Sequence, residues 1–68
     1  MQRATGTVTA FDDRRGIGTV TTDDGRVLAF HCTAVADGSR TIAEGTTVVV
    51  EIAAGLPGTW EAVVVTPA

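Results

Sequence analysis

Lysine is absent from this chain of 68 residues, cysteine and histidine occur once each, and no apolar run approaches the length of a membrane span. Each shortage excludes something. With Cys32 alone there is no disulfide within the chain to staple so small a domain, and a lone cysteine fits a reducing compartment, so the cytoplasm is the expected location. One Cys and one His fall short of the four ligands of a usual metal site, so neither metal nor cofactor is expected. Without a long apolar run no membrane partner is expected, and Met1-Gln2-Arg3 lacks the apolar core of a signal peptide. The cations are arginines alone, at positions 3, 14, 15, 26 and 40. Against eight carboxylates they leave a net charge of −3 and a pI near 4.7. That balance opposes long-range attraction of nucleic acid, although a local basic face counts for more than the sum. Arg14 and Arg15 adjoin Asp12 and Asp13, which neutralises part of any such face here.

What is present is strand and turn chemistry. Arg15-Gly16-Ile17-Gly18-Thr19-Val20 sets two glycines around one apolar residue, and glycine in a strand marks a bulge, a bend or a close backbone approach. Val27-Leu28-Ala29-Phe30-His31-Cys32 answers it across Asp23-Asp24-Gly25, a hairpin signal because Asp and Gly supply positive φ. The spacing predicts strands over 4–11, 17–22, 27–32, 46–52 and 59–66. Between them fall a polar turn at Asp12–Gly16 and a second hairpin loop, Ala53–Gly58, marked by Gly and Pro as breakers. A single 3₁₀ turn is expected over Thr33–Val35, capped by Thr33. Five short strands without helical periodicity mean one all-β domain spanning 1–68, a small closed barrel or sandwich. Alternation places Val48, Val50 and Ile52 on the core face with Leu28, Phe30 and Val20. It turns Ala29, His31, Ile17 and Thr19 the other way.

These same residues carry a family resemblance. Gly6-Thr7-Val8-Thr9-Ala10-Phe11 resembles the opening G-x-V-K-W-F of the bacterial cold-shock proteins. Arg15–Val20 resembles their first RNA-binding motif, K-G-F-G-F-I. Leu28–Cys32 resembles the second, V-F-V-H-F, continued by Thr33-Ala34-Val35 as S-A-I. Gly38-Ser39-Arg40-Thr41 with Glu44-Gly45 is similar to the loop G-F-K/R-S/T-L-x-E-G. The resemblance covers nearly the whole chain. It implies a five-stranded antiparallel barrel of the oligonucleotide-binding type (OB-fold) that binds single-stranded RNA or DNA.

It also exposes departures. The family stacks bases on exposed aromatics, yet Ala10, Ile17, Thr19, Ala29, Cys32 and Ser39 stand at six of those positions, and Thr9 replaces a lysine. A base–aromatic stack is worth about 1–3 kcal/mol, so six replacements predict a loss of several kcal/mol even without full additivity. The resemblance therefore implies weak binding with low sequence specificity.

Seven residues are candidates for the reduced face: Phe11, Arg15, Ile17, Thr19, His31, Arg40 and Trp60. His31 stacks on or bonds a base, or is a strand histidine without a partner. Phe11 serves both as a platform and as packing at the barrel's end. Trp60 is a relocated platform or an added core or barrel-end contact, the second being favoured because one buried indole gains much for so small a domain. Arg15 and Arg40 meet phosphates or remain solvated, Arg14 and Arg15 beside Asp12 and Asp13. Cys32 reads as a small apolar filler. A Cys32–His31 nucleophilic pair is disfavoured, since neighbours on a strand point to opposite faces. No catalytic residue is assigned and no enzyme is expected, for want of an acid–base or metal constellation. The competing expectation is a protein-interaction or self-association domain on the same fold, with Ile17, Ala29 and Cys32 as its apolar patch and the chain a monomer or weak dimer.

Overall fold

The computed structural model describes residues 2–54 and 60–68. Five strands, β1 (Gln2–Asp12), β2 (Ile17–Thr22), β3 (Val27–His31), β4 (Thr47–Ala54) and β5 (Trp60–Pro67), close into a barrel in the order β1-β2-β3-β5-β4. The expected fold class holds, with one correction to its antiparallel character. β3 and β5 run parallel, meeting at Ala29 and Glu61. The reason is topological. Directions cannot alternate around a ring of five, so one seam has to be parallel.

β1 is long because it serves two neighbours. Its first half pairs with β4 (Gln2 with Ile52, Thr7 with Thr47), its second with β2 (Gly6 with Thr22, Asp12 with Ile17). That shared duty extends it to Gln2, ahead of the predicted start. β4 begins at Thr47 rather than Thr46, because the Thr46 hydroxyl donates to the Ala43 carbonyl at 2.7 Å and holds that residue in the turn. Ala53 and Ala54 belong to β4, where a loop was expected. The rest of that predicted loop, and the expected first residue of the last strand, Thr59, lie outside the described residues. Asp23-Asp24-Gly25 makes the predicted turn. Gly25 adopts φ 89° and donates its N–H to the Thr22 carbonyl at 2.9 Å.

The inward faces are those that strand alternation predicts. Val8, Val20, Leu28, Phe30, Val48, Val50, Ile52 and Val65 fill the barrel, each with 3% or less of its surface exposed. Val35 and Ile42, from the crossover between β3 and β4, join that core. Among the described residues the seam that closes the ring is short, a single pair at Ala29 and Glu61 supplemented by a bridge between Val35 and Val65. The crossover starts as a 3₁₀ turn over Cys32–Ala34, one residue earlier than predicted, and its cap is His31 rather than Thr33. The imidazole Nδ1 accepts the Thr33 N–H at 3.3 Å. Cys32 thereby leaves the strand.

Candidate functional site

Three cross-strand rows build one face of the barrel. A register shift between Val8 and Ala10 bulges β1 at Thr9, so that Thr9 and Ala10 are both exposed. Beyond the bulge, Ala10 faces Thr19, Thr19 faces Ala29, and Ala29 faces Glu61 across four strands. The next row is Phe11, Gly18 and Phe30, and the third is Asp12, Ile17 and His31. The first and third rows turn outward. The middle row turns inward and floors the space between them. Together with Thr33, Ala34, Glu44, Ala62 and Val63, these residues line a groove of about 720 Å³.

The floor depends on a missing side chain. The Phe11 and Phe30 rings stack with centroids 5.9 Å apart and planes 12° from parallel, an offset geometry that suits two aromatic quadrupoles. Gly18 lies between them in the register. A Cβ there would sit 2.7 Å from Phe30 Cζ and 2.7 Å from the Ala10 carbonyl oxygen. Phe11 thus has the mixed role expected of it: half-buried against the core, with a surface left in the groove.

The polar groups of the face are mostly engaged with one another. The Thr9 and Thr19 hydroxyls share a hydrogen bond of 3.1 Å, and Thr21 Oγ1 donates to Thr9 Oγ1 at 3.3 Å. His31 Nδ1 lies 3.0 Å from Thr33 Oγ1 as well as accepting the Thr33 N–H. An accepting Nδ1 puts the proton of the neutral ring on Nε2, which is left as the ring's donor. Cys32 Sγ comes within 3.8 Å of the same Nδ1, which corrects the expectation that the two side chains diverge. That expectation assumed a continuous strand, and the strand ends at His31. The imidazole remains committed to capping the 3₁₀ turn, and among the described residues no orienting third group of the kind a nucleophilic pair requires bonds to it.

The face brings together four of the seven candidates, Phe11, Ile17, Thr19 and His31. Arg15 and Arg40 are exposed in loops and do not line the groove. Arg15 belongs to a turn in which Asp12 Oδ1 accepts the N–H groups of Arg14 and Arg15 at 3.0 and 3.2 Å. Asp12 is therefore bound to backbone and not to a guanidinium. Among the described residues the ion pair is Arg26 with Asp24, at 3.0 Å on the opposite hairpin. Of the two structural places expected for Trp60, the core is excluded by its 48% exposure and the barrel's end is left; it does not line the groove. It opens β5 opposite Ala54, two residue pairs beyond the pairing of Ile52 with the buried Ala62, past the last layer of the core.

Sequence reasoning saw Asp12 only as a neighbour of the arginines and did not name Glu44 or Glu61 as site residues. Asp12, Glu44 and Glu61 line the groove, and among the described residues no arginine does. Glu61 ends one outward row on β5 and Asp12 ends the other on β1. Glu44 precedes Gly45, whose N–H donates to the Val8 carbonyl at 2.8 Å and ties that loop to β1 just before its bulge. The motif loop containing Glu44 was visible in the sequence. The place of Glu61 follows only from the parallel seam.

Residues 4–68 match the model of a known domain family, the 'Cold-shock' DNA-binding domain. A plant protein, "Glycine-rich protein 2" of Nicotiana sylvestris, is 45% identical over 67 residues, covering 96% of this chain and 31% of its own length. The chain thus spans about a third of that relative. Among solved structures, "drosophila Unr CSD456" superposes with a TM-score of 0.81 at 24% identity, over 98% of this chain and 27% of that one.

Proposed function

The chain belongs to the cold-shock domain family, and on that premise we propose that it binds single-stranded nucleic acid, RNA or DNA, in the groove across β1, β2 and β3. Cold-shock domains are non-enzymatic modules that bind single strands. The observation that carries the placement is the pair of outward rows, Ala10–Thr19–Ala29 and Ile17–His31, set over the stacked Phe11 and Phe30. A base laid on this face meets apolar surface from Ile17 and the two alanines, a partly exposed Phe11 edge, and the Nε2 donor of His31. Binding is weak and of low sequence specificity, because stacking supplies most of the sequence-tolerant energy in such grooves and among the described residues that line this one the aromatic rings with exposed surface are the half-buried Phe11 and the exposed His31. Arg15 and Arg40 stand outside the groove, exposed to solvent, and are the cations this reading offers to a phosphate backbone. We further place the chain with the bacterial members of the family on the order of its four motif stretches; the plant relative carries related sequence outside bacteria.

The test is a titration with end-labelled oligo-dT and oligo-U at low salt. Saturable binding that weakens with salt is expected. The log–log slope should be no steeper than about −1.4, at roughly −0.7 for each phosphate neutralised by the two arginines. No binding to either oligomer at high micromolar protein would overturn the proposal. It would favour the second reading, a protein-docking face, for which the 44% exposure of Ile17 in an acidic groove is the supporting observation.

A further inference from the structure

Nucleic-acid grooves are ordinarily rich in donors and positive charge, because phosphates and base carbonyls are acceptors. This groove has the opposite chemistry. Its charged lining is Asp12, Glu44 and Glu61, and neither lysine nor arginine contributes to it. The carboxylates stand on both flanks: Asp12 at the β1 end of one row, Glu61 at the β5 end of another, Glu44 on the loop fastened to β1 at Val8. Asp12 has one oxygen occupied by the Arg14 and Arg15 N–H groups. Among the described residues Glu44 and Glu61 make no side-chain hydrogen bond or ion pair.

The position of Glu61 matters most. It is the direct partner of Ala29, and Ala29 is the partner of Thr19. Its cross-strand partners on either side, Ala29 and Ala53, are both small, so among the described residues of the row no bulky side chain stands between its carboxylate and a base lying there.

We infer that this face selects bases presenting an exocyclic amino group, cytosine in particular, over uracil and thymine, with Glu61 and Glu44 as the specificity-determining residues. The inference rests on the nucleic-acid reading of the groove. A carboxylate accepts hydrogen bonds and does not donate them, so it pairs with the cytosine N4 amino group. Uracil and thymine carry a carbonyl oxygen, O4, at that position. It brings two acceptors face to face, with no arginine or lysine in the groove to satisfy O4. Cytosine and thymine are close in size, and both stack poorly on a face with few aromatics. The edge chemistry is then the main difference between them.

The experiment compares labelled oligo-dC with oligo-dT, and oligo-C with oligo-U, at equal length, low salt and mildly alkaline pH. The C-containing strand of each pair should bind about fivefold more tightly, the low end of what one good base-edge pair discriminates. E61Q and E44Q keep the size of the side chain and add an amide donor. They should bring the C-to-T and C-to-U ratios toward one, while affinity for all four strands rises as negative charge is removed. Reading a ratio separates the two effects. Binding of all four strands with no preference, or with thymine and uracil preferred, would overturn the inference and leave the nucleic-acid reading intact. A cytosine preference unchanged in the E44Q/E61Q double variant would overturn the assignment to these residues. No binding to any strand would overturn the nucleic-acid reading itself. Both glutamates are exposed, so loss of the fold is not expected, and a thermal melt of each variant verifies it.

Discussion

Gly18→Ala should destabilise the barrel through a single carbon atom. The new Cβ would lie 2.7 Å from Phe30 Cζ, 2.8 Å from Phe30 Cε1 and 2.7 Å from the Ala10 carbonyl oxygen. The ring has little room to retreat, because its other neighbour is Phe11, 5.9 Å away in the stack. The carbonyl belongs to the backbone of β1 just beyond the bulge. Either the stack opens or β1 and β2 move apart. Overpacking of this kind costs about 1–3 kcal/mol. Alanine recovers about 0.4–1 kcal/mol by restricting the unfolded chain. The difference spans about 0–2.6 kcal/mol, and with the clash falling on backbone as well as on a ring held from behind, its upper part, about 1–2 kcal/mol, is expected, against a total stability of roughly 3–10 kcal/mol for a chain of this size. At about 4–8 °C per kcal/mol for a small domain, the melting temperature should fall by roughly 4–16 °C. Thermal unfolding followed by far-UV circular dichroism measures this directly. Shortening Phe30 in the same chain should relieve part of the clash, so G18A and F30L together should cost less than their sum. A melting temperature for G18A equal to or above that of the parent would refute the claim that the Phe11–Phe30 floor needs glycine here.

Further outcomes follow from the same geometry. Restoring an aromatic with Ala29→Phe should tighten binding of oligo-dT by about fivefold or more without lowering the melting temperature, because Ala29 is exposed and one base–aromatic stack is worth at least about 1 kcal/mol; unchanged affinity in the titration would mean that bases do not lie on that row. On the opposite hairpin, hydrogen bonds from the Thr22 hydroxyl and then from Arg26 hold the Asp24 carboxyl below its ordinary value of 3.8. A carboxylate depressed in the folded state contributes stability above its unfolded value and loses it as pH falls through the lower folded value. D24N should therefore be less stable than the parent at neutral pH, and the gap should close below about pH 4, as urea midpoints across that range would show. Asp37, lowered by the Ser39 N–H and hydroxyl, keeps its own part of the acid limb in that variant.

Much of the architecture could be read from residues close together in the chain. Alternation along Val48–Ile52 and Leu28–Phe30 assigned the core, because side chains of a strand point to its two faces in turn whatever the strand pairs with. Asp23-Asp24-Gly25 announced its turn, because the demand for positive φ is local. The outward set of Ile17, Thr19, Ala29 and His31 followed from the same alternation, and the family motifs named it as the face that matters. What escaped the sequence depends on contacts between distant segments. The parallel seam is a consequence of closing five strands into a ring, and it alone brings Glu61 beside Ala29. The bulge at Thr9 puts Ala10, and not Thr9, opposite Thr19, a choice made by the pairing of β1 with two strands at once. Trp60 carries enough apolar surface to belong in a core, but tertiary register sets it beyond the last core layer. Residue type and alternation determined which side chains could work together. Closure of the barrel decided which of them meet, and with it the acidic character of the groove.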